Sequence, residues 1–161
     1  MQNEECKMQN AEWGIGMIRK IEEKDREVFY KFTKSFYSSP VVMADIPDEF
    51  HKEFFDEALK SDVYTDAFMI EFENKPVGYA VTAKTYSHEA GGIVIWLEEL
   101  YIEEEYRNKG LGKEFFSFLE SYYPDTSRFR LEAEEDNKKA LKLYESLGYK
   151  RIEYIGLYKG R

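Results

Sequence analysis

A glycine-rich loop with basic flanks is the first place in this chain where residue types and spacing could do chemistry. The stretch 106–113 reads Tyr-Arg-Asn-Lys-Gly-Leu-Gly-Lys and lies between an apolar run and a segment with helical spacing. Gly110 and Gly112 carry no Cβ, so a ligand can approach the backbone closely. Unpaired amides at the start of a helix bind anions. The loop therefore predicts a phosphate-binding turn.

The predicted helix start has features that a bound anion would correct. Neither Lys109 nor Gly110 is a strong side-chain cap, and Lys113 places a positive charge at the positive end of the helix dipole, which costs about 0.3–1 kcal/mol. The P-loop and Rossmann patterns fit poorly, because Glu114 follows Gly-Lys and Phe115 stands where a small residue is needed. A glycine turn with exposed basic residues is the alternative.

Two adjacent carboxylates, Glu98 and Glu99, interrupt the apolar stretch 96–102. Carboxylates in an apolar strand are costly unless they face water or a ligand. Strict alternation puts the two on opposite faces of a strand, and a bulge would shift that parity. The sequence thus leaves open which carboxylate faces a cleft, and a solvated acidic edge is the alternative.

A second polar motif lies on the segment 137–149. Ala140, Leu143, Tyr144 and Leu147 share one face at helical spacing, and Gly148 is placed to end the helix. A packed helix accounts for the apolar positions. For Tyr144, the alternative to a functional role is that of a core aromatic. For Asn137, the alternative is helix capping together with Asp136.

Together these motifs resemble the GNAT N-acetyltransferase family. Arg-x-x-Gly-x-Gly after a strand ending Leu-Tyr-Ile is similar to the family's acetyl-coenzyme A loop. The segment from Asn137 is similar to the second signature, Asn-x-x-Ala-x-x-Leu-Tyr-x-x-x-Gly-Phe, with Tyr149 as the final aromatic. The motifs stand in the expected order, and the resemblance covers the chain from Gly14 onward.

The resemblance implies acetyl-coenzyme A as cofactor, no metal, and a possible homodimer. Loop amides would cradle the pyrophosphate, main-chain N–H groups before the loop would contact the thioester carbonyl, and Lys109 and Lys113 would assist the phosphates. Asn137 would bind the pantetheine arm, and Tyr144 would be the catalytic group near the departing sulfur. The implied cofactor contacts are Leu100, Tyr101, Ile102, Arg107, Asn108, Lys109, Gly110, Leu111, Gly112, Lys113, Asn137 and Tyr144.

The acceptor is predicted from a local similarity. Leu-Glu-Glu-x-x-Ile at 97–102 resembles Leu-Glu-Asp-x-x-Val of the diamine (polyamine) acetyltransferases, which makes Glu98 the first candidate for base or amine anchor and Glu99 the second. The favoured acceptor is a small cationic primary amine of polyamine type. Acetylation of protein or peptide amines and a non-catalytic acyl-coenzyme A sensor are the alternatives.

Composition limits the partners and the cellular location that the chain is expected to have. The 161 residues carry 32 acidic and 23 basic side chains, a net charge of -9, which argues against nucleic acid as a partner. The absence of a long apolar run argues against a membrane span, and the single cysteine, Cys6, favours a reducing, cytoplasmic location. His51 and His88 have no partners at metal-ligand spacing and are interpreted as surface or capping residues.

Periodicity predicts one domain over 14–161 after a poorly ordered terminus at 1–13. The class is α/β or α+β, and the resemblance implies a GNAT acyltransferase fold with a mixed, mostly antiparallel sheet and about four helices. The predicted strands are 14–19, 64–73, 77–86, 92–102, 128–133 and, as one long strand or a pair, 149–158. The predicted helices are 28–36, 47–59, 111–123 and 137–147.

Overall fold

A five-stranded sheet, in the order β1-β2-β3-β4-β5, forms the centre of the molecule. The computed structural model describes residues 16–40, 42 and 46–160. Neighbouring strands β1 to β4 are antiparallel, and only β5 runs parallel to its neighbour β4. This confirms the predicted mixed, mostly antiparallel sheet. The strands are β1 (Met17–Lys20), β2 (Thr65–Phe72), β3 (Lys75–Ser87), β4 (Gly92–Ile102) and β5 (Arg128–Leu131).

The described residues form four α-helices, as predicted: α1 (Arg26–Tyr37), α2 (Asp48–Lys60), α3 (Leu111–Tyr122) and α4 (Lys138–Ser146). Apolar residues at spacings of three and four give each helix a face that packs on the sheet. Phe29 and Phe55 of α1 and α2 lie in a core on one face, and Phe115 of α3 lies in a second core on the other. None of the described helices is long and apolar enough to cross a membrane.

The contact between β4 and β5 is short, and this shapes the site. Parallel pairing joins only Val94–Leu97 to Arg128–Leu131, whereas β4 continues to Ile102. Within the described part of the chain, the last residues of β4 therefore have no strand partner on the β5 side. A gap opens between the two strands immediately before the glycine loop.

A bulge in β4 breaks the strict alternation considered from the sequence. Val81 of β3 pairs with Glu99, but the next residue, Thr82, pairs with Leu97, so Glu98 is an extra residue in the ladder. Because of this insertion, Leu97 and Leu100 both pack in the α3 core, although they are three residues apart.

The predicted last strand is wrong. Residues 149–160 contain no strand, and most are exposed, with Tyr154 81% and Leu157 93% accessible. The apolar pattern was real, but strand structure requires a neighbouring strand as well as suitable residues, and no ladder forms between this segment and β5. Residues 1–13, predicted to be poorly ordered, and the first two residues of the predicted first strand lie outside the described residues.

Candidate active site

The glycine loop meets α3 with unpaired backbone amides. Gly110 is the N-cap, has a positive φ of 87°, and provides no side-chain cap. The N–H groups of Leu111, Gly112 and Lys113 have no earlier helical carbonyl to bind, and the first helical bond runs from Glu114 N to Gly110 O at 3.0 Å. A Cβ added at Gly110 would meet nothing within 4 Å. The amides therefore border open space that an anion can enter.

Contacts from both sides fix the loop in this shape. Asn108 adopts a left-handed φ of 64°, and Arg107 Nε donates to the Ile102 carbonyl at 2.8 Å. Lys139 of α4 donates from Nζ to Asn108 Oδ1, so the second motif holds the first. Lys109 Nζ lies 5.4 Å from the centroid of the Phe72 ring. Sequence reasoning did not predict the contact of Lys139.

Glu99 is the carboxylate that lies within the fold. Its Oε1 accepts a hydrogen bond from Tyr37 Oη at 2.7 Å, and its Oε2 accepts one from the buried Tyr79 at 2.5 Å. Desolvation raises the pKa of Glu99, and the two phenol hydrogen bonds oppose this shift. Glu98 is exposed in the bulge, and partial desolvation together with the charge of Glu132 raises its pKa.

Neither carboxylate has a cation of its own in the part of the chain that the structure describes. No Lys, Arg or His nitrogen there lies within 4.0 Å of Glu98 or Glu99. Burying a carboxylate without a compensating charge is costly. Glu99 thus has hydrogen-bond partners but lacks charge compensation, which a cationic ligand would supply.

Tyr144 lies in the opposite layer. Its ring packs edge-on at 5.6 Å from the Phe116 ring, and burial raises the pKa of its hydroxyl. It borders a groove of about 750 Å³ along the outer edge of β5, with Leu131 on one wall and Leu147 on another. Because Glu99 packs toward α1, it and Tyr144 lie on opposite faces of the sheet, on either side of the gap beside β4.

The remaining predicted positions surround this gap. Asn137 caps α4, with Oδ1 accepting from Ala140 N at 3.2 Å, as the capping alternative predicted. Leu100 and Ile102 direct their side chains into the α3 core, whereas Tyr101 packs toward α1. The backbone of these three residues forms the free margin of β4 on the β5 side.

The structure adds aromatic partners that the sequence did not single out. Tyr37 and Tyr79 follow the apolar patterns of a helix and a strand, so no local signal separates them from core residues. The prediction that His51 lies at the surface is wrong: it is 6% exposed, packs edge-on against Tyr37 with ring centroids 5.7 Å apart, and has its pKa lowered by desolvation. The reason is that α2 lies against the end of α1. His88 is exposed.

Comparison with known proteins identifies the class. The family model for the acetyltransferase (GNAT) family matches residues 22–149. The chain belongs to this family, whose members are acetyl-coenzyme A-dependent transferases. The predicted family is confirmed, and the enzyme class and cofactor of that family are the ones predicted.

Individual relatives agree with this assignment. A thialysine N-epsilon-acetyltransferase from Sus scrofa is 38% identical over 74 residues, which are 45% of this chain and 43% of that protein. The chain thus spans less than half the length of this curated relative. A possible acetyltransferase from Clostridium difficile 630 has a TM-score of 0.76 and 19% identity over 91% of this chain and 97% of that chain.

A third similarity concerns the aminoglycoside N-acetyltransferase AAC(6')-Iy, solved with the bisubstrate analogue CoA-S-monomethyl-acetylneamine and with CoA. Its TM-score is 0.74 at 18% identity, over 91% of this chain and 98% of that chain. At this identity, both structural similarities concern the fold. The predicted GNAT fold is confirmed.

The local geometry fits the family's cofactor. Its diphosphate suits the unpaired amides of Leu111 to Lys113, because they converge at the positive end of a helix dipole without a side-chain cap. The gap beyond the last β4–β5 pair leaves main-chain groups of β4 without strand partners, as an extended pantetheine arm would require. The anion-binding groups of this loop are backbone amides. That the site needs no metal stays a prediction.

Proposed function

We propose that the protein acetylates the primary amine of a small cationic acceptor, with polyamine-type and lysine-type diamines as the candidate class. The observation that carries the proposal is Glu99, a largely desolvated carboxylate with two phenol donors and, among the described residues, no cation. A docked ammonium group would compensate this charge. The name of the Sus scrofa relative, which refers to an amine at the end of a side chain, supports the class.

The chemical demand on the site is deprotonation. A lysine-like amine has a pKa of ~10.4, so about one molecule in ~2,500 is neutral at pH 7, which corresponds to roughly 4.6 kcal/mol. Glu99 would first hold the ammonium ion and then accept its proton, directly or through a water. Tyr37 and Tyr79 would keep its two oxygens oriented during both steps. Glu98, exposed in the bulge, would attract the cation.

The cofactor supplies an activated acetyl group when it is bound. The amides of Leu111, Gly112 and Lys113 would hold its diphosphate, and Asn137 its pantetheine arm. The free margin of β4 at 100–102 would offer N–H donors to the thioester carbonyl. With these contacts the thioester would lie beside the gap, which Glu99 approaches from the α1 side.

Tyr144 is proposed to stabilise the leaving sulfur from the other side of the gap. Full proton transfer from a phenol of pKa ~10 to a thiol of pKa ~8.5 is uphill by about 2 kcal/mol, and burial raises the pKa of Tyr144 further. A hydrogen bond that strengthens as sulfur gains charge is therefore the proposed role. A Tyr144→Phe variant with unchanged kcat would contradict it.

The test is a free-thiol release assay across an acceptor panel: spermidine, cadaverine, L-lysine, an aminoglycoside and a basic peptide. Turnover of at least one small diamine above the no-acceptor rate is the expected result. Preference for the peptide would favour the protein-amine alternative. Clear coenzyme A binding, seen as a thermal shift, with no turnover of any amine would favour the sensor alternative.

A further inference from the structure

Arg130 and Trp96 form a stacked pair on the acceptor side of the sheet. The two residues are aligned on β5 and β4, and the guanidinium carbon lies 4.1 Å from the centroid of the indole ring. Phe129 and Leu131, the sequence neighbours of Arg130, pack toward the α3 core. Alternation along β5 therefore places Arg130 on the opposite face, which is the face where Glu99 lies.

Arg130 differs from the other arginines in residues 16–40, 42 and 46–160. It alone has neither a carboxylate within 4.0 Å nor a hydrogen bond to an oxygen acceptor, in a chain of net charge -9. An aromatic ring holds the guanidinium plane while leaving its N–H edge free. The other arginines have the partners Asp25 and Glu71 (Arg19), Glu23 and Asp56 (Arg26), the Ile102 carbonyl (Arg107), Glu89 (Arg128) and Glu135 (Arg151).

Opposite charges flank this free guanidinium. Glu132 follows Arg130 by two residues, and it is near enough to Glu98 for its charge to raise the pKa of that carboxyl. One cation and two carboxylates thus lie together at the end of β5 and the bulge of β4. This arrangement complements a zwitterion, with the carboxylate at the guanidinium fork and the ammonium at the acidic pair.

The distance from the Arg130–Trp96 pair to Glu99 suits an extended lysine side chain. Trp96 and Glu99 are three residues apart on β4, and the bulge absorbs part of the rise, so about 7–10 Å separates them along the strand. An extended lysine side chain that starts at Arg130 would bring its terminal amine toward Glu99. The α-ammonium group and the reacting amine would then bind to different carboxylates.

We infer that the acceptor is a free amino acid with a terminal side-chain amine, and that Arg130 binds its α-carboxylate. This inference rests on the proposed function and narrows its acceptor class from diamines to lysine-type amino acids. Glu98 and Glu132 bind the α-ammonium group. Glu99 receives the side-chain amine. A polyamine has no carboxylate and leaves Arg130 without a ligand.

The test compares L-lysine with cadaverine, which has the same carbon chain without the carboxylate. Wild-type kcat/KM for lysine should exceed that for cadaverine at least tenfold. Arg130→Gln should lower the lysine value at least tenfold and leave the cadaverine value within twofold. Arg130→Lys should recover part of the loss, because an ammonium keeps the charge but not the fork. Arg128→Gln, on the same face of β5 but paired with Glu89, is the matched control and should change neither value.

Three results would overturn the inference. They are a wild-type preference for cadaverine, an equal fall for both acceptors in Arg130→Gln, and turnover confined to amines without a carboxylate. Lysine methyl ester on the wild-type enzyme tests the same point without any variant, and its kcat/KM should be at least tenfold below that of lysine. If no amine is acetylated at all, the proposed function fails rather than the carboxylate subsite.

Discussion

Two carboxylates on strands of the same sheet, Asp66 and Glu99, accept phenol hydrogen bonds, and they differ in what compensates their charge. Asp66 of β2 is 1% exposed, and its Oδ1 and Oδ2 lie 2.7 Å from Lys20 Nζ and 2.8 Å from Lys84 Nζ. Tyr123 Oη also donates to Asp66, at 2.5 Å. Glu99 likewise accepts phenol hydrogen bonds, but no described cation faces it.

The difference distinguishes a carboxylate that stabilises the fold from one that belongs to a binding site. The ion pairs of Asp66 join β1, β2 and β3, and the bond from Tyr123 adds the end of α3, so the chain itself compensates this charge. At Glu99 the residues in 16–40, 42 and 46–160 provide hydrogen bonds on both oxygens but no positive charge within 4.0 Å. A half-buried carboxylate in that state is best stabilised by a cation that arrives from outside. Substitutions at the two positions should therefore have opposite effects on stability and activity.

Replacing the carboxylate of Glu99 should give the largest effect. We expect Glu99→Gln to lower kcat/KM for the best amine by about 10²–10⁴, the range for loss of a general base. Its free energy of unfolding at neutral pH should stay equal or rise, because a desolvated charge is removed. Glu98→Gln, one residue away in the exposed bulge, removes a charge that attracts the substrate but does not take the proton, so it should cost at most several-fold and mainly through KM. Comparable losses in both variants would contradict the assignment of Glu99 as base.

Replacing the carboxylate of Asp66 should show the reverse. Asp66→Asn removes the nearest anion of Lys20 and Lys84 and leaves Lys20 with Asp62 at 3.8 Å. We expect a loss of about 2–3 kcal/mol in the free energy of unfolding, below the usual cost because both lysines are partly exposed. Urea denaturation measures this, with kcat/KM normalised to folded enzyme expected to stay within twofold. A stable but inactive variant would show that Asp66 belongs to the site.

The raised pKa of Glu99 predicts that the free energy of unfolding depends on pH. Because desolvation raises the pKa of Glu99 in the folded state, the native protein binds more protons than the unfolded chain between the two pKa values. The contribution of Glu99 to stability therefore falls as pH rises through that window. Glu99→Gln should gain stability relative to wild type over the same interval, and the two should converge at lower pH. Chemical denaturation at several pH values measures the difference, and a constant difference would contradict the raised pKa.

The parts of this site that could be predicted from sequence are the local ones. The turn at Gly110 and the cap at Asn137 depend on residues within a few positions, so their types and spacing were sufficient. The partners of Glu99 were not predictable in this way, because Tyr37 and Tyr79 lie 62 and 20 residues away along the chain.

Strand irregularities set a second limit. The bulge at Glu98 decides which carboxylate turns inward, yet it depends on how β3 and β4 pair and not on the composition of either strand. The strand predicted for 149–158 is wrong for a related reason, because an apolar pattern does not itself supply a neighbouring strand. In both cases the missing information lies in pairing between segments.

The smallest expected effect concerns one hydrogen bond at Glu99. Tyr37→Phe removes the donor to Oε1 and leaves the donor from Tyr79 in place, so we expect kcat/KM to fall by about five- to tenfold, equivalent to about 1 kcal/mol. A phenol that donates to the carboxylate favours its charged form, so its loss should raise the pKa of Glu99 further. The acidic limb of the kcat/KM profile should then move to higher pH, a shift that simple loosening of the α1 packing would not produce. Tyr30→Phe on the same helix, whose hydroxyl accepts a bond from Arg26, is the control and should leave the limb in place. An unmoved limb in Tyr37→Phe would mean that a group other than Glu99 takes the proton.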